Sequence, residues 1–306
     1  MKVREFADGC EVAQALVVRE LQDDGGVLLG DRTGSVAAVL EDHARALCRR
    51  GGVVFVTGRY CGQLEVETIR AAEPGEYRHE DLHDGPARAA AQMEADLREL
   101  VATIQNPHLR RLLSLVFGEG SPTWASYRDA PAAKRYHQAY RHGLLEHCLT
   151  VAQAVSAISA TFPGIDRDVA VTGALLHDIG KLEAYESKDG AISMSDHGRL
   201  YGEIPLGYYM VRREIERLDG FPPELARAVL HIILSHHGSL EHGSPVVPCT
   251  REATLVHMID NLGGRLGSFD RLEKQLADGE QWSGYDRALG GGAYFARPPE
   301  GARRAA

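Results

Sequence analysis

Four apolar segments of the chain each carry histidine or aspartate inside a run of aliphatic residues. They are GLLEHCL around His147, ALLHDIGKL around His177 and Asp178, ILSHHGSL around His236 and His237, and HMIDNL around Asp260. Their apolar residues recur at helical spacing, which predicts buried helices. A lone buried histidine is usually satisfied by a core hydrogen bond. When four helices share the feature, the simplest joint explanation is a bound cation that all of them face.

Imidazole and carboxylate together suit divalent manganese, iron, zinc or magnesium. Adjacent His177 and Asp178 lie about 100° apart on a helix, so both can reach one pocket. Asp178 has two oxygens and could bridge two ions, which would hold a hydroxide for in-line attack on phosphorus. Lys181 is expected on the face of His177, where its charge could neutralise a phosphate oxygen. The alternative for Lys181, a solvated side chain near a helix end, stays open.

The N-terminal part of the chain reads as β-structure. Residues 10–73 predict a strand, two strands around the turn from Asp31 to Gly34, a short helix over 41–50, and two strands around Cys61-Gly62. Glycine at position 34 is expected to supply a positive φ. This order is that of a five-stranded OB barrel, which often stacks single-stranded nucleic acid on aromatic rings. Tyr60 is the candidate ring, whereas Phe55 is expected in the core.

The predicted fold class is therefore multidomain α+β. A five-stranded OB-type β-barrel over 1–75 is followed by a linker over 76–91, an all-α bundle over 92–288 and a flexible tail over 289–306. The bundle is long enough for its own core.

Charge and cysteine usage exclude several classes of protein. The net charge of −9 argues against non-specific binding of duplex DNA, but leaves binding of single strands in a local groove open. No apolar run is long enough for a membrane span, and the charged N-terminus, which lacks an apolar h-region, predicts no secretory signal. The five cysteines are scattered without a CxxC pair. They are expected to be reduced, buried thiols in a cytoplasmic protein.

These residues resemble a known group. The order His147, His177-Asp178, Asp260 is similar to the HD-domain phosphohydrolase superfamily. HQAYRHGLLEH, ALLHDIGKLEAY, ILSHHGSLEHGSPV and EATLVHMIDNL resemble the HD domain of the YhaM-type 3′→5′ exoribonucleases. Those proteins also carry an N-terminal OB domain, and GDRTGSVAAVLED resembles its central hairpin. The resemblance covers nearly the whole chain.

The resemblance implies a two-metal site and a hydrolase. His147, His177, Asp178 and Asp260 would hold one ion, and Asp178, His236 and His237 would help to hold the second. Manganese is the expected ion, with Mg²⁺, Fe²⁺, Co²⁺ and Ni²⁺ as alternatives. Catalytic roles are expected for Asp178, Lys181 and His177. Contacts with substrate are expected from His137, Tyr140, Arg141, Lys181 and Tyr60.

Two positions depart from the family pattern. Glu203 in YGEIPLG stands where the family usually has a histidine. A glutamate ligand would favour manganese or magnesium; alternatively the second ion is lost. His137-Gln138 stands where the family has a histidine pair before the AY dipeptide. His137 either touches substrate phosphate or packs.

Three functions remain open at this point. The first is a 3′→5′ exoribonuclease that releases nucleoside 5′-monophosphates from single-stranded RNA, with single-stranded DNA as a further substrate. The second is a phosphohydrolase of small nucleotides, such as a cyclic nucleotide or a nucleoside triphosphate. The third is a nucleic-acid-binding protein with a degenerate metal site. A homo-oligomer is compatible with each of them.

Overall fold

The computed structural model describes residues 1–22, 25–83, 85–86, 88–134, 138–188, 191–276 and 279–296. Buried apolar side chains among these residues form two separate clusters. One lies inside an N-terminal barrel and includes Leu16 and Val56. The other lies inside a helical part and includes Leu145 and Ile232. The predicted class, a barrel followed by a helical domain, is confirmed.

Five strands close the barrel in the order β1-β2-β3-β5-β4. The strands are β1 Glu11–Leu21, β2 Gly26–Asp31, β3 Gly34–Val39, β4 Val53–Tyr60 and β5 Leu64–Ala71, with the short helix α1 Asp42–Arg45 before β4. β3 and β5 run parallel, and every other neighbouring pair is antiparallel. Alternate residues of β4 point inward, as a strand with one buried face requires. This is the strand order expected of an OB barrel.

The β2–β3 turn lies where the sequence predicts it, but for a different reason. Gly34 does not have a positive φ. Instead, Oδ1 of Asp31 accepts hydrogen bonds from the backbone N–H of Thr33 (2.7 Å) and its hydroxyl (2.6 Å). The other oxygen, Oδ2, accepts from the N–H of Val3 at 2.8 Å. A buried aspartate therefore shapes the turn in the way that side chains mimic backbone in Asx turns.

The predicted linker begins with structure of its own. α2 His79–Leu82 lies against the barrel. Its Leu82 is buried, and the guanidinium of Arg19 donates to the carbonyl of Leu82 at 3.0 Å. The domain boundaries stay predictions, although the barrel clearly extends its contacts beyond residue 75.

The helical part contains ten further helices among the described residues. They are α3 Ala90–Ala102, α4 Pro107–Phe117, α5 Trp124–Asp129, α6 Gly143–Ser159, α7 Arg167–Leu176, α8 Lys181–Ala184, α9 Asp196–Tyr201, α10 Glu203–Glu216, α11 Pro223–Ser235 and α12 Arg251–Gln275. The helices α6, α7, α11 and α12 pack against one another around the centre of the bundle.

Two features of the helical part were not predicted. A short antiparallel hairpin, β6 Tyr185–Lys188 and β7 Ala191–Met194, follows α8. Residues 289–296, expected in a flexible tail, belong to a turn that packs on α12, where the rings of Phe269 and Phe295 lie 6.3 Å apart.

Across the residues that the structure describes, no helix has both the length and the apolar content needed to cross a membrane.

Candidate metal centre

Two helices end at the histidines that the sequence singles out. α7 ends at Leu176 with His177 as its C-cap, and α11 ends at Ser235 with His236 as its C-cap. The prediction that His177 and Asp178 lie within a helix is therefore wrong, because they lie one and two residues after the end of α7. The last carbonyls of a helix lack partners along the helix. Here the imidazole of each capping histidine satisfies one of them.

Every histidine of the site is anchored through its Nδ1 nitrogen. His177 Nδ1 donates to the carbonyl of Ala174 at 2.7 Å, and His236 Nδ1 to that of Ile233 at 2.8 Å. His237 Nδ1 donates to the carbonyl of His242 at 2.9 Å. A carbonyl oxygen can only accept, so each ring carries its proton on Nδ1 and presents a lone pair at Nε2.

His147 from α6 is anchored in the same way by a side chain. Its Nδ1 lies 3.1 Å from Oε1 of Gln138. Its Nε2 then faces Nε2 of His177 at only 3.2 Å. Two lone pairs at that distance repel each other unless a cation lies between them. Imidazole ligands of metals usually donate their second ring N–H to an oxygen in this manner.

Two carboxylates complete the cluster. Asp260 from α12 places Oδ1 3.0 Å from Nε2 of His147 and 3.8 Å from Nε2 of His177. Asp178 places Oδ2 3.3 Å from His147 and 3.4 Å from His177. Its other oxygen, Oδ1, lies 3.6 Å from Nε2 of His236. Asp178 therefore lies between two groups of histidines.

Two buried atoms of the cluster lack any hydrogen-bond partner among the described residues. They are Oδ1 of Asp178 and Nε2 of His236. Nε2 of the neutral His236 ring is an acceptor like the carboxylate oxygen, and the two atoms lie 3.6 Å apart, too far for a hydrogen bond, so neither satisfies the other. Leaving them unpaired is costly, whereas a cation would satisfy both. The residues present therefore fit a divalent metal ion.

Ligand atoms gather in two main sets. His147, His177 and Asp260 form one, and Asp178, His236 and His237 form the other, each with its ligand atoms within 4.8 Å of one another. Glu203 lies beside the second set, with Oε1 3.9 Å from Nε2 of His237. The structure thus brings together every predicted metal ligand in one place.

Glu203 is held there by the close approach of α10. A Cβ added to Gly180 would lie 1.9 Å from the carbonyl oxygen of Glu203 and 2.4 Å from the N–H nitrogen of Gly207. Glycine at position 180 therefore lets the first turn of α10 touch the segment that follows Asp178.

Burial and charge set the protonation of the cluster. Burial lowers the pKa of His177 to about 4, so this ring is neutral and ready to bind a cation. Burial alone would raise the pKa of Asp178, but Lys181 and His177 outweigh it and hold the pKa well below its usual range. Burial would also raise the pKa of Asp260, but the close imidazoles of His147, His177 and His236 outweigh burial and lower it. Both carboxylates are therefore anionic.

Lys181 is part of this cluster and forms an ion pair with one of its carboxylates. Its Nζ lies 2.5 Å from Oδ2 of Asp178. Burial would lower the pKa of Lys181, but Asp178 reverses the effect and raises it. Lys181 is thus a permanent cation at the site, as one of its two predicted roles requires.

Sequence reasoning missed the support beneath His147. The side-chain amide of Gln138 donates to Oε2 of Glu146 at 3.3 Å, and the hydroxyl of Tyr140 donates to the same oxygen at 2.5 Å. Gln138 also has a φ of 60°. A positive φ is uncommon for a residue with a side chain. The replacement of a family histidine by Gln138 was the available signal.

The predicted substrate residues have mixed positions. Tyr140 is tied to Glu146, and Arg141, exposed, pairs with Asp129 at 2.9 Å. Tyr60 lies in the barrel, with its ring 5.7 Å from that of Phe6. His137 lies outside the described residues.

Two expectations about other side chains are wrong. Phe55 is half-buried on the outside of the barrel, with the guanidinium of Arg70 stacked 4.6 Å from the centre of its ring. All five cysteines are free, but Cys61 and Cys249 are exposed. Cys148 is buried beside His177 and Asp178, and burial raises the pKa of its thiol, which keeps it neutral.

Comparisons with known proteins agree with this geometry. Residues 144–264 match the model of the HD domain. The chain is 30% identical over 264 residues to a protein named 3′-5′ exoribonuclease YhaM from Geobacillus sp. (strain WCH70). The alignment covers 83% of this chain and 80% of that relative. Proteins with the same name from Shouchella clausii (strain KSM-K16) and Bacillus subtilis (strain 168) are 28% and 29% identical, over 83% of this chain and 81% and 82% of their own lengths. No solved structure matches the chain.

Proposed function

The chain belongs to the family of the 3′-5′ exoribonuclease YhaM, and from this premise we propose that it is a metal-dependent hydrolase that removes nucleotides from the 3′ end of single-stranded RNA. The products are nucleoside 5′-monophosphates. The observation that carries the proposal is the pair of unsatisfied acceptors at Asp178 and His236, within a cluster of anchored histidines. Single-stranded DNA is proposed as a second substrate.

The site is proposed to hold two ions. The separate sets around His147 and His236 support two positions, and the two oxygens of Asp178 face one set each. Glu203 beside His237 adds oxygen character to the second set. Three carboxylates and four imidazoles favour manganese among the divalent ions that such ligands accept.

Divalent ions in this site would supply an activated water for attack on phosphorus and positive charge for the phosphate oxygens. The chain's own residues define how the substrate meets them. Lys181, held cationic beside Asp178, attracts the scissile phosphate and offsets the charge that builds on its oxygens. Arg141 is exposed and pairs with the carboxylate of Asp129. Its guanidinium can bind a substrate phosphate in place of that carboxylate, because guanidinium groups bind carboxylates and phosphates alike.

A comparison of end labels tests the activity and its direction. RNA labelled at the 3′ end should release labelled mononucleotide at once, whereas RNA labelled at the 5′ end should shorten through a ladder of intermediates. A chelator should stop both reactions, and manganese should restore them better than zinc. An intact oligonucleotide under several metals, beside an active control nuclease, would refute the proposal.

Hydrolysis of small nucleotides is the less favoured activity, since the alignment to the exoribonucleases covers 83% of this chain, more than the helical part alone. A panel of nucleoside triphosphates and cyclic nucleotides, compared with an oligonucleotide at equal concentration, separates the two. We also propose a cytoplasmic location, which the five free cysteines support.

A further inference from the structure

An aromatic turn follows the last helix. We use this name for residues 281–296, which fold back on α12 and place three aromatic rings on the surface. The side chains of Trp282, Tyr285 and Tyr294 are 63%, 77% and 52% exposed. Large aromatic side chains usually bury most of their surface. Three exposed rings within a few residues therefore form an unusual surface.

The aromatic turn is firmly built. The backbone N–H of Ser283 donates to the carbonyl of Ala293 at 2.9 Å, and that of Phe295 to the carbonyl of Gln281 at 2.7 Å. Arg271 of α12 pairs with Asp286, and Ala293 is buried. The exposure of the rings is thus imposed by a hydrogen-bonded scaffold that holds them outward.

The rings lie beside one another. The centres of the Trp282 and Tyr294 rings are 5.1 Å apart with their planes at 51°, and Gln281 Nε2 donates to the Tyr294 hydroxyl at 3.3 Å. A Cβ added to Gly284 or Gly291 would meet nothing within 4 Å, and neither residue has a positive φ. Local geometry does not require glycine at either position.

Two exposed arginines belong to the aromatic turn or contact its backbone. Arg287 in the turn is exposed, and so is Arg265, whose guanidinium donates to the carbonyl of Leu289 at 3.3 Å. Aromatic faces flanked by arginine are the features with which proteins bind unpaired bases and their phosphates. We propose that the aromatic turn is a stacking site for the unpaired bases of single-stranded RNA. This inference rests on the proposed function.

The location of the turn suits a strand that ends in the metal centre. Asp260 and Phe269, on which the turn packs, both belong to α12. They are about two and a half turns apart and so lie on opposite faces of α12, but Arg271, which pairs with Asp286 of the turn, lies about three turns after Asp260 on the same face. The distance from Asp260 to Arg271 is about 17 Å along the axis. A strand with its 3′ end at Asp260 therefore needs only a few nucleotides to reach the turn.

Tryptophan fluorescence tests the proposal directly. The chain has two tryptophans, and the other, Trp124, is partly buried against Phe117 and Tyr127. A 12-nucleotide oligoadenylate, added in excess chelator so that it is not hydrolysed, should quench the emission of Trp282. The quenching should be lost in Trp282→Phe. Equal quenching in that variant would overturn the proposal.

Affinity gives the second measurement. The Trp282→Ala and Tyr294→Ala variants should each bind the 12-mer about 5- to 100-fold more weakly, the range for loss of one stacked base. Tyr285→Ala, the most exposed of the three, covers the case in which the others fail to fold. Tyr209→Ala, 58% exposed on α10, is the matched control and should bind normally.

Unchanged affinity in all three variants would contradict the stacking site. If light scattering also showed a smaller particle for those variants, the turn would be an interface between copies of the chain. Failure of the proposed function looks different, because the wild-type protein would then show quenching by RNA without cleaving it.

Discussion

At the scale of single residues, the site is defined by how its histidines are held. His177, His236 and His237 each donate Nδ1–H to a backbone carbonyl, and His147 donates to Gln138. Their Nε2 atoms are therefore aimed before any ion arrives. Preorganised ligands of this kind bind metals without having to give up side-chain freedom at that moment.

Asp178→Asn should remove hydrolysis. It replaces the one carboxylate that faces both sets of histidines with a weaker, neutral ligand. Changes to residues that only support a ligand cost about 10- to 100-fold, so loss of this ligand should exceed about 100-fold in kcat/KM. Steady-state hydrolysis of labelled RNA measures it.

A stability effect must be separated from this loss. Asp178→Asn also leaves the ammonium of Lys181 buried without its anion. Breaking a buried pair in this way costs about 3–5 kcal/mol. The double variant Asp178→Asn, Lys181→Met removes both charges and should recover stability but not activity. Recovery of activity in the double variant would contradict the assigned role of Asp178.

Gln138→Leu should weaken metal binding. Without Oε1, the Nδ1–H of His147 loses its acceptor and the ring loses its fixed orientation. We expect a loss of about 10- to 100-fold in affinity for manganese, measured by calorimetry. Gln92→Leu, an exposed glutamine on α3, is the control and should bind as wild type does. Equal affinity in both variants would show that Gln138 does not position His147.

The histidines and aspartates of the cluster could be predicted from sequence, because each interrupts an apolar helical run, whereas Glu203 was predicted from the family resemblance. Their support could not. The contact of Gln138 with His147 depends on a positive φ outside any helix, and no local pattern signals it. The prediction for Phe55 was wrong because its sequence neighbours are apolar. Without alternation of apolar and polar residues, the sequence does not show which face of the strand carries Phe55.

At the scale of elements, the ends of α7 and α11, and not their faces, position His177 and His236. The sequence predicted the helices but ran α7 through His177 and Asp178, because apolar spacing continues there. The structure ends α7 and α11 at the histidines themselves. Helix ends are the least certain part of a sequence prediction, and here each cap residue belongs to the candidate metal centre.

Gly180→Ala should disturb the second set of ligands. The new Cβ would overlap the backbone of α10 at Glu203. Backbone atoms cannot give way as a flexible side chain can, so we expect a loss of about 1–3 kcal/mol of stability and displacement of α10. Urea unfolding measures the first effect, and metal stoichiometry the second.

Gly263→Ala is the matched control for this change. It lies within α12, and its added Cβ would meet nothing within 4 Å. Replacing glycine by alanine inside a helix should stabilise the protein by about 0.5–1 kcal/mol. If Gly180→Ala behaved as the control does, the tight contact with α10 would be absent in solution.

At the scale of the whole molecule, two cores lie in two parts of the chain. The barrel was predictable because short alternating strands and turn residues follow one another in the order of a known topology. The packed turn at 281–296 was not, since its glycine-rich sequence is typical of mobile segments. Its internal backbone hydrogen bonds and its contacts with α12, which no local sequence pattern signals, show that it is folded.

Metal should stabilise the helical part as a whole. The ligands come from or directly follow α6, α7, α11 and α12, so an ion connects four helices. At 100 times its dissociation constant, a ligand of the folded state alone adds about 2.7 kcal/mol. For a domain of this size that corresponds to roughly 5–10 °C in Tm. Thermal unfolding with and without manganese measures it.

Asp178→Asn, Lys181→Met provides the control for that shift. This variant lacks the bridging carboxylate and should gain much less from manganese. An equal rise in Tm for both proteins would mean that the ion stabilises the fold from some other place.

The anchoring of imidazoles to helix-terminal carbonyls has a consequence for ion choice. The backbone of α7 and α11 fixes the orientation of His177 and His236. We therefore expect the binding site to keep its dimensions when the metal ion dissociates. A metal ion that binds must therefore accept the ligand positions that the helices impose. A metal ion can then dissociate and another can bind without repacking of the helical bundle. Selection between similar metal ions then depends on their coordination preferences and on their supply in the cell.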